Sequence, residues 1–137
     1  MAVLGLGGLF IKSEHPEKTK NWYRDVLGVE INAYGGMDFL HKAAVEAFPI
    51  AARTIFDRFK ADSDYFAPSA LPFMINLMVD DLDAALARIE SAGEVLIGAP
   101  ESHSYGRFAW LMDPDGVKVE LWQPIEPEGS GSTDEPR

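Results

Sequence analysis

Apolar positions recur along the chain with two different periods. Residues 73–79 read Phe-Met-Ile-Asn-Leu-Met-Val. Side chains alternate along an extended strand, so Phe73, Ile75, Leu77 and Val79 make one continuous apolar face, suited to a helix packed on it, and Met74, Asn76 and Met78 make the other. The period then changes. Leu82, Ala85, Leu86 and Ile89 stand at helical spacing, Asp80 or Asp81 supplies an N-cap and Gly93 a stop, which predicts a helix over 82–91. A short strand over 95–97 and a loop over 98–104 lead into the strongest local signal, YGRFAWLMDPDGVKVELWQP at 105–124. Two stretches rich in β-branched and aromatic residues, 105–112 and 117–122, flank Asp113-Pro114-Asp115-Gly116. Pro presets φ at the second turn position and Gly accepts positive φ at the fourth, so this is a hairpin. In its second strand Val117, Val119 and Leu121 share one face and Lys118, Glu120 and Trp122 the other. Glu120 is then either an ordinary polar residue facing water from a half-buried strand or a carboxylate with a task.

The first half gives the same order of elements. Residues 2–11 are apolar and Gly-rich and read as a strand, since Gly5, Gly7 and Gly8 each weaken a helix by about 1 kcal/mol. A helix follows over 14–27, with Pro16 in its first turn, Thr19, Trp22, Tyr23, Val26 and Leu27 on its apolar side, and Gly28 at its end. Residues 29–34 and 37–41 read as strands around Gly35-Gly36, 42–52 as an irregular loop with room for a helical turn, and 53–59 as a third strand. Residues 60–71 form a linker in which Tyr65 and Phe66 are expected to pack onto a module. The chain is thus strand–helix–three strands, given twice, with residues 6–12 in register with 74–80. It predicts an α+β domain over 1–124 made of two βαβββ modules, 1–61 and 72–124. Residues 125–137 are expected to be a disordered acidic tail, because EPEGSGSTDEPR offers no apolar side chain to bury.

Composition narrows the function classes. Twenty-two acidic and 12 basic residues leave a net charge of −10, which argues against nucleic acid, whose phosphates would be repelled. The chain has no cysteine, which excludes disulfides, a thiolate nucleophile and Cys-ligated metals and fits a reducing compartment such as the cytoplasm. No stretch approaches the ~18 apolar residues of a membrane span, and no basic segment followed by an apolar run opens the sequence. An apolar fraction of 47% is enough for a packed core.

Strand parity places Leu6, Gly8, Phe10, Met74, Asn76, Met78, Glu120 and Trp122 on one surface, with Phe56 or Asp57 from the third strand, and Trp110 is added as a ligand-binding candidate. Such a surface is mostly apolar with a few polar points, the make-up of a small-molecule pocket. The alternative is a closed core or a dimer interface. Asn76 speaks against a dry core, since a buried amide without partners costs about 1–3 kcal/mol. Trp22, Tyr65, Phe66 and Trp122 offer much apolar surface for one domain, so a homodimer is expected.

The hairpin resembles the end of a domain of the vicinal oxygen chelate superfamily, which comprises glyoxalases, bleomycin-resistance proteins and extradiol dioxygenases. The residues that carry it are Asp113-Pro114-Asp115-Gly116 and the G-x-x-x-E-L pattern of Gly116 to Leu121. NWYRDVLGV at 21–29 resembles the end of that family's first helix, and FMINLMVDDLD at 73–83 the strand opening its second module. The resemblance spans about 1–124. It implies curved mixed sheets with helices on the convex side, paired around a concave cup. It also implies up to four metal ligands, His, Glu or Gln, at positions occupied here by Leu6 (Gly7 or Gly8 on another loop count), Phe56 or Asp57, Met74 and Glu120. The two that are usually His are apolar, so neither a metal nor another cofactor is expected. His15, His41 and His103 share no helix or strand face. His103, in a rim loop, is the candidate to join Glu120 as a catalytic residue.

Three readings follow. The first is a glyoxalase/bleomycin resistance-like protein that binds a small organic molecule without a metal. The second is a metal-dependent lyase, epimerase or dioxygenase with a rearranged site, and the third an interaction protein that buries the cup. Ser102-His103-Ser104 makes no nucleophilic relay, since neighbours in sequence lack a third orienting group. Asp80, Asp81 and Asp83 are explained as carboxylates at a helix N-terminus.

Overall fold

The computed structural model describes residues 1–128. The elements are α1 (Pro16–Leu27), α2 (His41–Ala47), β1 (Ile75–Met78), α3 (Leu82–Ser91), β2 (Glu101–His103), β3 (Gly106–Met112) and β4 (Lys118–Gln123). The strands form one sheet in the order β1-β4-β3-β2. β1 runs parallel to β4, and the other pairs are antiparallel. The fold is therefore α+β, with the open mixed sheet that the glyoxalase-like pattern predicts.

Each helix stops where its sequence directs. Gly28 ends α1 in the left-handed region at φ 72°, its N–H on the Arg24 carbonyl, a conformation glycine adopts without steric cost. Asp81 caps α3 by accepting the Ala84 N–H at 3.0 Å. α1 and α3 pack on the same face of the sheet. Tyr23 and Val26 from α1 and Leu82 and Ile89 from α3 meet Ala109, Leu111, Val119 and Leu121 in the main core. Fully burying each Leu or Ile contributes about 1.5–3 kcal/mol. The β3–β4 turn is tied down from three sides. Asp113 accepts the Tyr23 hydroxyl at 2.7 Å and the N–H groups of Asp115 and Val117, Ser13 donates to Asp115, and Ser69 donates to the Gly116 carbonyl.

The first half departs from the sequence pattern in its strands. Residues 2–11, 29–34, 37–41 and 53–59 form no ladder, and His41 starts α2 instead of ending a strand. A β-strand exists only where a neighbour takes its N–H and C=O groups, and among the described residues these segments pair with no other strand. Val29 and Met37 pack against the main core, but many of the other apolar side chains stay in water. Phe10 is 93% exposed, Leu4 96% and Phe56 66%. Residues 95–97 also fall short of a strand, although Ile97 donates its N–H to Trp110. Residues 129–137 of the expected tail lie outside the described residues. Glu126, which composition assigned to that tail, is held, its carboxylate accepting the N–H groups of Ile50 and Ala51 at 2.9 Å each.

Candidate ligand-binding site

The sheet face opposite the helices carries the candidate chemistry, and pairing register assembles it. Glu120 lies between Asn76 of β1 and Trp110 of β3, and Trp122 between Met78 and Phe108. Paired residues project to the same side, so these side chains share one surface. Glu120 is only 1% exposed, which removes the solvent-facing reading. Its Oε1 accepts the Asn76 amide at 2.7 Å, and its Oε2 accepts the Trp110 indole N–H at 2.8 Å and the Tyr65 hydroxyl at 2.5 Å. A buried carboxylate is tolerated when donors replace its lost hydration, and such bonds to an ion are stronger than neutral ones.

Around this carboxylate lies an aromatic surface. Phe108, Trp110 and Trp122 are buried together, with Met74, Met78, Ile97 and Tyr105 against them. Phe108 stacks on Trp110 with 10° between planes, and Tyr65 meets Trp110 edge-on at 6.4 Å. Trp122 donates its indole N–H to the Tyr105 carbonyl. Its ring lies over Gly106, where an added Cβ would come within 2.5 Å of the indole nitrogen.

Lys118 completes the face. It is buried, donates to the Tyr65 carbonyl at 2.6 Å, and holds its ammonium 5.0 Å from the centre of the Tyr65 ring and 5.8 Å from that of Trp110. Burial pushes its pKa below the usual lysine value, against the opposing pull of Glu120 and Asp64. A cavity of about 210 Å³ opens beside it, lined by Tyr65, Ile97, Glu101, Trp110 and Lys118 with Gly98 and Ala99.

Of the residues that strand parity singled out, Met74, Asn76, Met78, Trp110, Glu120 and Trp122 are brought together here. Leu6, Gly8, Phe10, Phe56 and Asp57 are not. They sit in the unpaired segments of the first half, where the Phe10 ring folds over Gly8 and the Arg58 guanidinium covers Phe56. His103 lies on the edge strand, its Nε2 at 2.9 Å from Glu101 and its ring stacked on Tyr105. Its paired residue is Gly106, whereas Glu120 pairs with Trp110, so β3 and four residues along it separate the two. His15 precedes α1 and His41 begins α2.

Tyr65, Lys118 and Phe108 were among the members of the site not singled out by sequence. Tyr65 comes from the linker, and its signal was an aromatic pair inside a polar segment. Lys118 shares the parity of Glu120 and Trp122, which was the evidence for it. Among the described residues no three His, Asp or Glu side chains come together as a metal would need. The groups that meet Glu120 do so as O–H and N–H donors. As arranged here, these groups satisfy the carboxylate by hydrogen bonding.

A family model described as the Glyoxalase/Bleomycin resistance protein/Dioxygenase superfamily matches residues 6–121. The chain belongs to this superfamily. Among solved structures, TnmS3, an antibiotic binding protein from Streptomyces sp. CB03234, is 26% identical with a TM-score of 0.57, covering 91% of this chain and 99% of its own. A glyoxalase/bleomycin resistance protein from the same Streptomyces strain is 27% identical over 78% of this chain and 90% of its own, with a TM-score of 0.47. A superfamily domain from Frankia sp. EAN1pec shares the fold at 14% identity, with a TM-score of 0.53 and coverage of 90% and 100%. A search of curated proteins gives no match. Superfamily membership accounts for the hairpin and helix order, and the chemistry must be argued from the site.

Proposed function

We propose that this superfamily member is a metal-independent binding protein for small aromatic molecules, of the kind its relative TnmS3 is described to be for an antibiotic. The observation that carries the reading is the use of Glu120. At the position where the resemblance implies a metal ligand, the carboxylate is already engaged by Tyr65, Asn76 and Trp110. Around it, Phe108, Trp110, Trp122 and Tyr65 provide ring faces and edges suited to a flat aromatic ligand. His103, the other residue an enzyme would have used, is engaged with Glu101 at the sheet edge.

The binding form is a homodimer. The cavity of about 210 Å³ is below the ~300 Å³ at which ligand pockets begin. The residues expected to form its other wall, Leu6, Phe10 and Phe56, stand in solvent in the single chain. A second copy gives both features a partner: residues 1–61 act as the other module and close the cup over residues 72–124. The protein works in the cytoplasm, without nucleic acid. Among the described residues no helix is long and apolar enough to cross a membrane.

The test is a thermal-shift screen of small aromatic compounds, run before and after chelation and paired with elemental analysis. Stabilisation by mass action, unchanged by chelator and with no stoichiometric metal, is the expected result. About one zinc, nickel, iron or manganese per chain, needed for binding, would move the lyase, epimerase or dioxygenase reading to first place. Light scattering that gave a mass near 15.1 kDa at every micromolar concentration would reject the dimer.

A further inference from the structure

Lys118 is a cation in an unusual place. The chain carries a net charge of −10, yet the basic group lining this cavity is buried against two aromatic rings. An ammonium has three N–H donors. Among the described residues one of them is used, on the Tyr65 carbonyl. Two acids lie near it: Glu120, which accepts from Tyr65, Asn76 and Trp110, and Asp64, and their pull does not offset the burial of the ammonium. Keeping a lysine head in a low-dielectric wall is costly unless something negative meets it. A core that needed only packing would be served as well by Met or Leu at this position.

The ring faces and the ammonium are arranged for one molecule. Trp110 contributes both to the aromatic surface and to the cavity wall, and the Lys118 nitrogen lies 5.8 Å from the centre of its ring. A flat ring system lying against Trp110 would bring a substituent on its edge within reach of the ammonium. A charged acceptor there makes a charge-assisted bond in a partly dry site, which exceeds what an equivalent neutral group can gain. Glu101 also lines the cavity, from its exposed side. Its charge disfavours an anion placed there, which leaves the Lys118 end as the place for one.

We infer that Lys118 is the specificity-determining residue of the cavity and that the ligand is an aromatic compound bearing an ionised oxygen acid, a carboxylate or phenolate, which Lys118 binds. This rests on the aromatic-ligand reading above and adds the chemical class. It assigns Lys118 to ligand recognition, where Glu120 keeps a positioning role through Tyr65 and Trp110.

The experiment compares naphthalene-2-carboxylate with naphthalene-2-carboxamide, a neutral analogue of the same shape, by calorimetry on the full chain at pH 7. The wild type is expected to bind the carboxylate at least about tenfold more tightly, the size of a good charge-assisted bond. Lys118→Met should bring the two probes to equal affinity, and Lys118→Arg should retain a preference for the acid. Equal affinities in the wild type, or a preference that survives Lys118→Met, would overturn the role of Lys118 and leave aromatic binding standing. Binding of neither probe to the wild type would count against both readings. The wild-type comparison requires no substitution, so a Lys118→Met chain that fails to fold still leaves a decisive result.

Discussion

Tyr65, from the segment joining the two halves of the chain, donates its hydroxyl to Glu120 in the last strand at 2.5 Å. The same Tyr65 accepts Lys118 at its carbonyl and sets its ring edge-on against Trp110. One linker residue thus touches the acid, the base and the aromatic wall of the site. The linker is part of the site's architecture and not a mere tether.

Glu120→Ala should be among the most damaging substitutions in the chain. It leaves the Trp110 and Asn76 donors without their acceptor and opens a cavity under a residue that is 1% exposed. The expected cost is about 3 kcal/mol, read by urea denaturation. Glu120→Gln keeps an oxygen for Tyr65 and Trp110, and an amide flip of Asn76 can meet the new NH₂. Its cost should stay under about 1.5 kcal/mol. Equal losses for the two would show that the carboxylate's charge, and not its shape or its oxygen positions, governs the position.

Much of this face was legible because it follows from strand parity. The alternation of Val117 to Trp122 and of Phe73 to Val79 fixes which side chains meet the helices. The main core then contains Leu77, Val79, Val119 and Leu121 as the alternation requires. The turn was legible from Asp113 to Gly116 for a similar reason, since local chemistry determines it. Tyr65 was harder, because it reaches Glu120 across 55 positions of sequence and no period links a linker residue to a strand. The strands of the first half were read from composition that is real, in Leu9, Phe10, Ile55 and Phe56. Their pairing depends on a neighbour, and a propensity cannot supply one.

Gly106 should tolerate no side chain. It holds φ 144°, and a Cβ would meet the Trp122 indole at 2.5 Å and the Gln123 carbonyl at 2.9 Å. The backbone conformation alone costs a non-glycine residue about 1–3 kcal/mol, and the clash displaces Trp122 from the Tyr105 carbonyl. Gly106→Ala is expected to lower stability by at least about 2 kcal/mol and to blunt ligand binding. A thermal melt and the near-ultraviolet signal of Trp122 would report both, and an unchanged melt would contradict the geometry.

Glu126 should matter more than its position in an acidic, Pro- and Gly-rich stretch suggests. Its two oxygens take the N–H groups of consecutive residues, Ile50 and Ala51, and Ala51 is buried. Glu126→Ala is expected to cost about 1–2 kcal/mol, as for hydrogen bonds to a charged group. A chain ended after Glu128 should match the full-length protein in urea. A loss below about 0.5 kcal/mol for Glu126→Ala, the range of ordinary surface changes, would show that the staple contributes nothing.

The Tyr23–Asp113 bond makes a pH-dependent prediction with a definite sign. The Tyr23 hydroxyl donates to Asp113 at 2.7 Å, and both residues are buried. Burial first, and then the hydrogen bond and charge of Asp113, push the tyrosine pKa well above its ordinary value. In the unfolded chain a tyrosine ionises near pH 10. A folded-state pKa raised above that means the unfolded state loses its proton first. The contribution of Tyr23 is therefore complete at neutral pH and declines as pH rises past about 10. At pH 7 Tyr23→Phe should cost about 1–2 kcal/mol, because Asp113 Oδ2 loses its donor while Oδ1 keeps the Asp115 and Val117 N–H groups. The gap between wild type and variant should narrow in urea titrations at about pH 10.5, where unfolded tyrosine is ionised. A gap that stayed constant from neutral to alkaline pH would mean that the hydroxyl proton is not what couples α1 to the turn.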